Sequence, residues 1–282
     1  MKIVWLAFLT IFNQVKLNYS GLERKGFGSV AKVGQFPHIV AIAYSSSSGR
    51  FTYVSGSLIT SKHVVTAGHA VKGEFQRFVI AGDNNLGVNE FAPSRESRSV
   101  KKITLHPQAL NPDGSPNYNH DLGVVEVVES FTLSDKTKII GLAENNLIGG
   151  EECLAMGFST LGDKNPIAFL MFDRFKLDGK KCGDMNKSNE YCAYRSNKPW
   201  HAGDVGGGLI KANYKQSVLY GVAVGLASSD KAGVYVNVAP HVKWLHTTTG
   251  IEYMPSGQDK LWRATLRILF LFMSSFLGQN IY

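Results

Sequence analysis

Seven short runs rich in Val, Ile, Tyr, Phe and Thr restrict this chain to an all-β architecture. They are Phe51 to Ile59, His63 to Val71, Phe78 to Ala81, Val100 to Leu105, Leu122 to Val128, Val218 to Leu226 and Gly233 to Val238. β-Branched and aromatic side chains suit a pleated, half-buried surface. Clusters of turn-forming residues such as Gly82-Asp83-Asn84-Asn85 and Asn111-Pro112-Asp113-Gly114 separate the runs. Many short strands joined by such turns close into barrels or stack as a sandwich. Only His241 to Thr249, carrying Trp244 and Leu245, reads as a helix, and it comes late in the chain. With 282 residues, 44% of them hydrophobic, the core suffices for one large β domain or two small ones. The sequence contains no internal repeat and no low-complexity segment.

Three stretches carry possible chemistry. Val64-Val65-Thr66-Ala67-Gly68-His69-Ala70 ends an apolar strand on a histidine, and His120-Asp121-Leu122-Gly123-Val124-Val125 opens another on a carboxylate. His201-Ala202-Gly203-Asp204-Val205-Gly206-Gly207-Gly208-Leu209 has four glycines between positions 203 and 208. Such a turn accepts backbone conformations closed to other residues and lets N–H groups converge on an anion. Each stretch alone has a plain structural account: a core histidine, a strand-start acid, a connecting turn.

Taken in order, about 50 and then about 84 positions apart, the three resemble the chymotrypsin-like (trypsin-like, peptidase S1) serine protease family. Members read much like TAAHC, NDIAL and GDSGGPL where this chain has TAGHA, HDLGV and GDVGGGL. Gly34-Gln35-Phe36-Pro37-His38, His106-Pro107, Met156-Gly157-Phe158, Tyr191-Cys192-Ala193, Gly233-Val234-Tyr235 and Trp244 agree as well. The similarity runs from Lys25 to Ile251. It implies two six-stranded antiparallel β-barrels with a cleft between them and a C-terminal helix. It also implies that His69 takes the general-base position, Asp121 the position that orients it, and Gly203 and Asp204 the oxyanion loop.

The departures from that pattern decide the expected chemistry. Val205 stands where the nucleophilic serine belongs, and valine has no heteroatom to attack a carbonyl. Loss of the serine from a triad lowers kcat on the order of 10⁶. At the specificity pocket, Pro199 holds the base position and Trp200 follows it as a filling indole. Val224-Gly225-Leu226 replaces a wall that usually reads Ser-Trp-Gly. The mature start aligns with Lys25-Gly26-Phe27-Gly28, so cleavage after Arg24 exposes a lysine whose extra charge is costly to bury against Asp204.

Of three cysteines, Cys182 and Cys192 match a family pair, a short loop whose closure contributes roughly 3 kcal/mol in the chain-entropy model. The bridge beside the catalytic histidine has Val54 and Ala70 at its two ends. His201 replaces one half of the bridge ahead of the nucleophile, and Lys211 takes the place of the partner of Cys153, which is left as a buried thiol or an intermolecular link. His201, His69 and Asp204 show no metal-ligand spacing, so neither metal nor cofactor is expected. Asn186-Lys187-Ser188 is a glycosylation sequon.

The two ends frame the domain. Residues 1–20, with Lys2 before the apolar run Ile3 to Phe12 and Ser20-Gly21 as cleavage point, read as a secretory signal. Residues 21–25 form a short pro-segment, 26–251 the protease-like domain, and 252–282 a tail. Ile268 to Leu277 is an apolar run of ten, too short to cross a bilayer unaided. It is compatible with a lipid-attachment signal, an interfacial helix over residues 260–277, or a helix packed on protein. A net charge of +8 favours an extracellular protein or an anionic glycan or surface as partner. Basic residues are scattered, with no aromatic-interleaved stripe, which argues against nucleic acid. The reading is a secreted, catalytically inactive protease homologue of arthropod type, binding or regulating within a proteolytic or immune cascade. Its rivals are an active serine endopeptidase and a membrane-tethered surface binder.

Overall fold

A computed structural model describes residues 28–45, 51–73, 77–87, 92–160, 168–177, 189–194, 205–212, 218–226 and 232–251. In chain order the strands are β1 (Ser29–Val30), β2 (Ile39–Ser45), β3 (Phe51–Leu58), β4 (His63–Ala67), β5 (Arg77–Ala81), β6 (Glu96–Leu105), β7 (Leu122–Val127) and β8 (Gly141–Leu142). They continue as β9 (Glu152–Thr160), β10 (Ala168–Leu177), β11 (Glu190–Tyr194), β12 (Gly208–Lys211), β13 (Val218–Leu219), β14 (Gly221–Leu226) and β15 (Ala232–Asn237). A one-turn helix α1 (Gly68–Val71) follows β4, and α2 (Val242–Thr249) comes after β15.

The strands close into two six-stranded antiparallel barrels. The first runs β2-β3-β4-β7-β6-β5, and the second closes through β9, β10, β11, β15, β14 and β12, with β1 added outside on β10. The expected chymotrypsin-like fold, with its C-terminal helix, is what the chain adopts.

Why the strand runs are apolar at successive positions, and not at alternate ones, follows from what lies on each face. In β2, Val40 and Ile42 fill the interior of the first barrel, while Ile39 and Ala41 point into a second cluster at the seam between the barrels. β4 divides Val64 from Val65 in the same way, and β7 divides Val125 and Val127 from Leu122 and Val124. On the other side, Cys153 and Ala155 of β9 face the second barrel's interior and Met156 and Phe158 face the seam. Strands buried on both faces lose period-two alternation. Each fully buried Val or Leu contributes about 1.5–3 kcal/mol relative to exposure, so the seam is a core in its own right.

The structure redraws some boundaries. The run His63 to Val71 ends as strand at Ala67 and turns into α1, and the run Val218 to Leu226 splits at Tyr220 into β13 and β14. β6 begins at Glu96, four residues before its apolar part, where Glu96 and Arg98 pair with each other on the face they share with Val79 and Ala81 of β5. The helix proper starts at Val242 after a 3₁₀ turn, Ala239–His241, and stops at Gly250, whose φ of +70° ends the helical backbone. β2, β9, β10, β11 and β12 fall outside the seven runs that the sequence pattern marked, and β9 and β11 contain Glu, Cys, Met, Ala and Gly in place of a β-branched run.

Candidate active-site constellation

His69 and Asp121 are brought together by neighbouring elements. β4 delivers His69 in α1, and Asp121 directly precedes β7, which pairs with β4 from His63↔Glu126 to Ala67↔Leu122. Gly68 N–H donates to the Asp121 carbonyl at 3.1 Å, closing the backbone around the pair. The Asp121 carboxylate is fully buried and both oxygens go to His69: Oδ1 accepts from the backbone N–H at 2.7 Å, and Oδ2 from the ring Nδ1. A carboxylate only accepts, so Nδ1 donates, and in the neutral ring the lone pair is then on Nε2. The His69 side chain is 26% exposed. A buried acid fixing the tautomer of a half-exposed imidazole is the arrangement that orients a general base.

Val205 lies at the seam, packed against both the seam cluster and the second barrel's interior. Its carbonyl accepts from Ser55 N–H at 3.0 Å, and Gly206 N–H donates to Ala223 O at 2.7 Å. Ser55 is itself fixed, since its hydroxyl accepts from Phe158 N–H and its carbonyl from the Thr66 hydroxyl, both at 2.7 Å. The glycine turn is therefore stitched to β3 of one barrel and β14 of the other. An isopropyl group at position 205 has no proton to give to His69.

Beyond the turn, β14 carries a register shift between Ala223 and Gly225 as it pairs with β15. Val224 is buried in the same seam cluster as Leu122, the residue after Asp121. A side chain on Gly225 would meet the Tyr118 hydroxyl at 2.9 Å, so Tyr118 covers that face of the strand. Leu226 is 41% exposed at the strand's end. The sequence reading did not single out Tyr118 or Ser55, because their roles depend on contacts made across the cleft and the seam.

Gly203, Asp204, Pro199, Trp200, His201, Cys182 and Asn186 lie outside the described residues, as do the signal segment, the pro-segment and the tail. Cys192, expected as partner of Cys182, is buried on β11. Cys153 is a buried free thiol, and its direct cross-strand neighbours are Lys211 on β12 and Phe175 on β10. Lys211 pairs with Glu151, and burial pushes the Cys153 thiol up to about 12. Val54 and Ala70 both pack against the first barrel's core. The structure also gathers His106, His120 and His241, which no sequence spacing connects.

Comparison with known proteins agrees with this geometry. The family described as Trypsin matches residues 26–245. Trypsin-3 of Salmo salar is 26% identical over 207 residues, covering 70% of this chain and 83% of that protein. Serine protease 1 of Homo sapiens is 28% identical over 208 residues, covering 70% and 80%. Chymotrypsin-like elastase family member 1 of Bos taurus is 24% identical over 235 residues, covering 78% and 87%. A solved chain described as "Structure of GrC" superposes with a TM-score of 0.67 at 20% identity, covering 79% of this chain and 98% of that one, a likeness of fold. Barrel closure, the His69–Asp121 pair and a match spanning nearly the whole double barrel lead to one assignment: the chain belongs to the trypsin family.

Proposed function

We propose that this trypsin-family protein is a secreted, non-catalytic protease homologue of arthropod type that binds or regulates another protein within a proteolytic or immune cascade. The observation that carries the reading is Val205 at the centre of the glycine turn, where the family's pattern has serine. A hydroxyl is the atom that must attack the substrate carbonyl, and without one the covalent route has no first step. Val224, Gly225 and Leu226 support the same reading, because the strand that pairs with substrate backbone in the family is covered by Tyr118 and ends in an exposed leucine. The Cys182–Cys192 bridge and the signal segment belong to this reading as features of an extracellular protein. The preserved His69–Asp121 pair favours the rival, an active serine endopeptidase. A fluorophosphonate probe separates the two. The purified mature protein is expected to remain unlabelled, and stoichiometric labelling overturns the non-catalytic reading.

A further inference from the structure

Three histidines from distant parts of the chain meet beside the segment that delivers Asp121. His106 follows β6, His120 directly precedes Asp121, and His241 ends the 3₁₀ turn before α2. One ring nitrogen from each lies within 4.8 Å of the others. Backbone bonds set the positions: His106 N–H donates to Leu122 O at 2.9 Å, Leu122 N–H to His120 O at 2.7 Å, and His241 N–H to Val238 O at 2.9 Å.

The hydrogen bonds define which nitrogens are available. His241 Nδ1 lies 2.8 Å from the Asn237 carbonyl, which only accepts, so Nδ1 bears the proton and Nε2 presents a lone pair. Asn237 is anchored in turn by the Tyr191 hydroxyl and by Asn146, both at 2.8 Å. A backbone carbonyl holding the far nitrogen of an imidazole, itself held by a further layer, is how metal-ligating histidines are oriented. His120 Nδ1 faces that lone pair at 2.9 Å. The His106 and His120 rings stack at 5.2 Å, and His241 stands edge-on to both, at 5.1 and 5.2 Å.

We propose that His106, His120 and His241 bind one divalent transition-metal ion of the imidazole-preferring class, with zinc as the ion tested, leaving a fourth position to water. Tetrahedral zinc with bonds of 2.0–2.1 Å separates its donors by roughly 3.3 Å. The His120–His241 pair is already slightly closer than that, and His106, whose ring lies parallel to that of His120, turns as well as shifts to complete the set. On binding, the His120 proton passes from Nδ1 to Nε2, so the ion takes the place of the hydrogen bond and no proton need leave the imidazoles. His106 exchanges its 3.2 Å bond from Gln108 N–H for the metal. His241 is 3% exposed while His106 and His120 are half-buried, so the ion enters from the side of His106 and His120. The bound ion ties the Asp121 segment to the terminal helix. The site is independent of whether the protein cleaves peptides.

Chelator-treated, purified full-length protein titrated calorimetrically with zinc sulfate tests the proposal. One equivalent is expected, with thermal stability rising as zinc is added. His120→Gln and His241→Gln are each expected to weaken binding at least ~10-fold, and His63→Gln to leave it unchanged. Zinc X-ray absorption on the unaltered protein supplies a readout free of folding defects, with three imidazole nitrogens at about 2.0 Å expected. Absence of binding at millimolar zinc, fewer than three imidazoles in the absorption spectrum, or undiminished affinity in a folded His120→Gln protein overturns it.

Discussion

The Val205 carbonyl accepts a hydrogen bond from Ser55 N–H, and the next residue, Gly206, takes a φ of +81° that brings its α-carbon against the carbonyl of the same residue. The turn that would hold a nucleophile is thus a clamp between the two barrels. A β-carbon on Gly206 would lie 2.0 Å from Ser55 O and 2.3 Å from Thr66 Oγ1. Backbone at these separations has no room to give, and the positive φ adds strain of about 1–3 kcal/mol for any other residue. Gly206→Ala is therefore expected to lower stability by about 3 kcal/mol or more, clash included. Urea unfolding of the two proteins side by side measures it. A loss within experimental error of zero would mean that the turn is not fastened to Ser55.

Asp121 retains a structural role whether or not the protein has turnover. It is fully buried and satisfies two donors of His69. Asp121→Ala leaves a buried backbone N–H without an acceptor and is expected to cost about 3 kcal/mol, combining the lost charged bonds with the orphaned group. Asp121→Asn keeps one acceptor oxygen for that N–H and is expected to cost about 1 kcal/mol, with the His69 ring shifting tautomer to accept at Nδ1. Equal losses in the two variants would show that the backbone bond contributes nothing.

Restoring a hydroxyl is not expected to restore an enzyme. Val205→Ser supplies the nucleophile, yet Tyr118 still covers Gly225 and Leu226 still projects at the end of β14. Hydrolysis of a fluorogenic peptide library by this variant is expected to stay at the background of the unaltered protein. Efficient cleavage of any member would show that the strand remains open to substrate.

How much of this could be read in the amino-acid order depends on distance along the chain. His69, Asp121 and Val205 were legible only together, because their order and spacing along the chain carry the family's pattern while each stretch alone has a plain structural account. The barrels were legible because β4, β7 and β15 carry dense β-branched runs, a density that the seam between the barrels requires. β9 and β11 were not, since Cys, Met, Ala and Glu fill their positions and the facing strand selects them. Tyr118 against Gly225, and the His106–His120–His241 cluster, are products of chain closure over more than 100 positions, which no local spacing encodes. The exchange at Lys211 was legible as a lost cysteine, whereas its pairing with Glu151 emerges only from the β12–β9 register.

Cys153 is expected to behave as a packing residue. Burial, with a contribution from Glu151, pushes its thiol up to about 12. The thiolate is the reactive form, so at pH 7 to 9 iodoacetamide is expected to leave the native protein unmodified at Cys153 and to modify it in urea. Peptide mass mapping after each treatment reads the difference. Rapid native labelling would show that the strand pair β9–β12 opens readily.

Acid is expected to destabilise the fold through buried neutral histidines. His38 is 5% exposed, its Nε2 has no hydrogen-bond partner, and burial lowers its folded pKa to about 4 from the ordinary 6.5. Below 6.5 the unfolded chain gains a proton that the folded chain refuses until about pH 4. Stability therefore falls as pH drops through this window and levels off beneath it, by roughly 3 kcal/mol in total for His38 alone. His106, His120 and His241 are shifted in the same direction and steepen the decline. Replacing His38 with Phe removes one of these protons and one unsatisfied nitrogen. The slope of unfolding free energy between pH 6 and 4.5 is then expected to decrease by about 1.4 kcal/mol per pH unit. Urea unfolding across that range in both proteins checks it, and an unchanged slope would mean that His38 is protonated in the folded state.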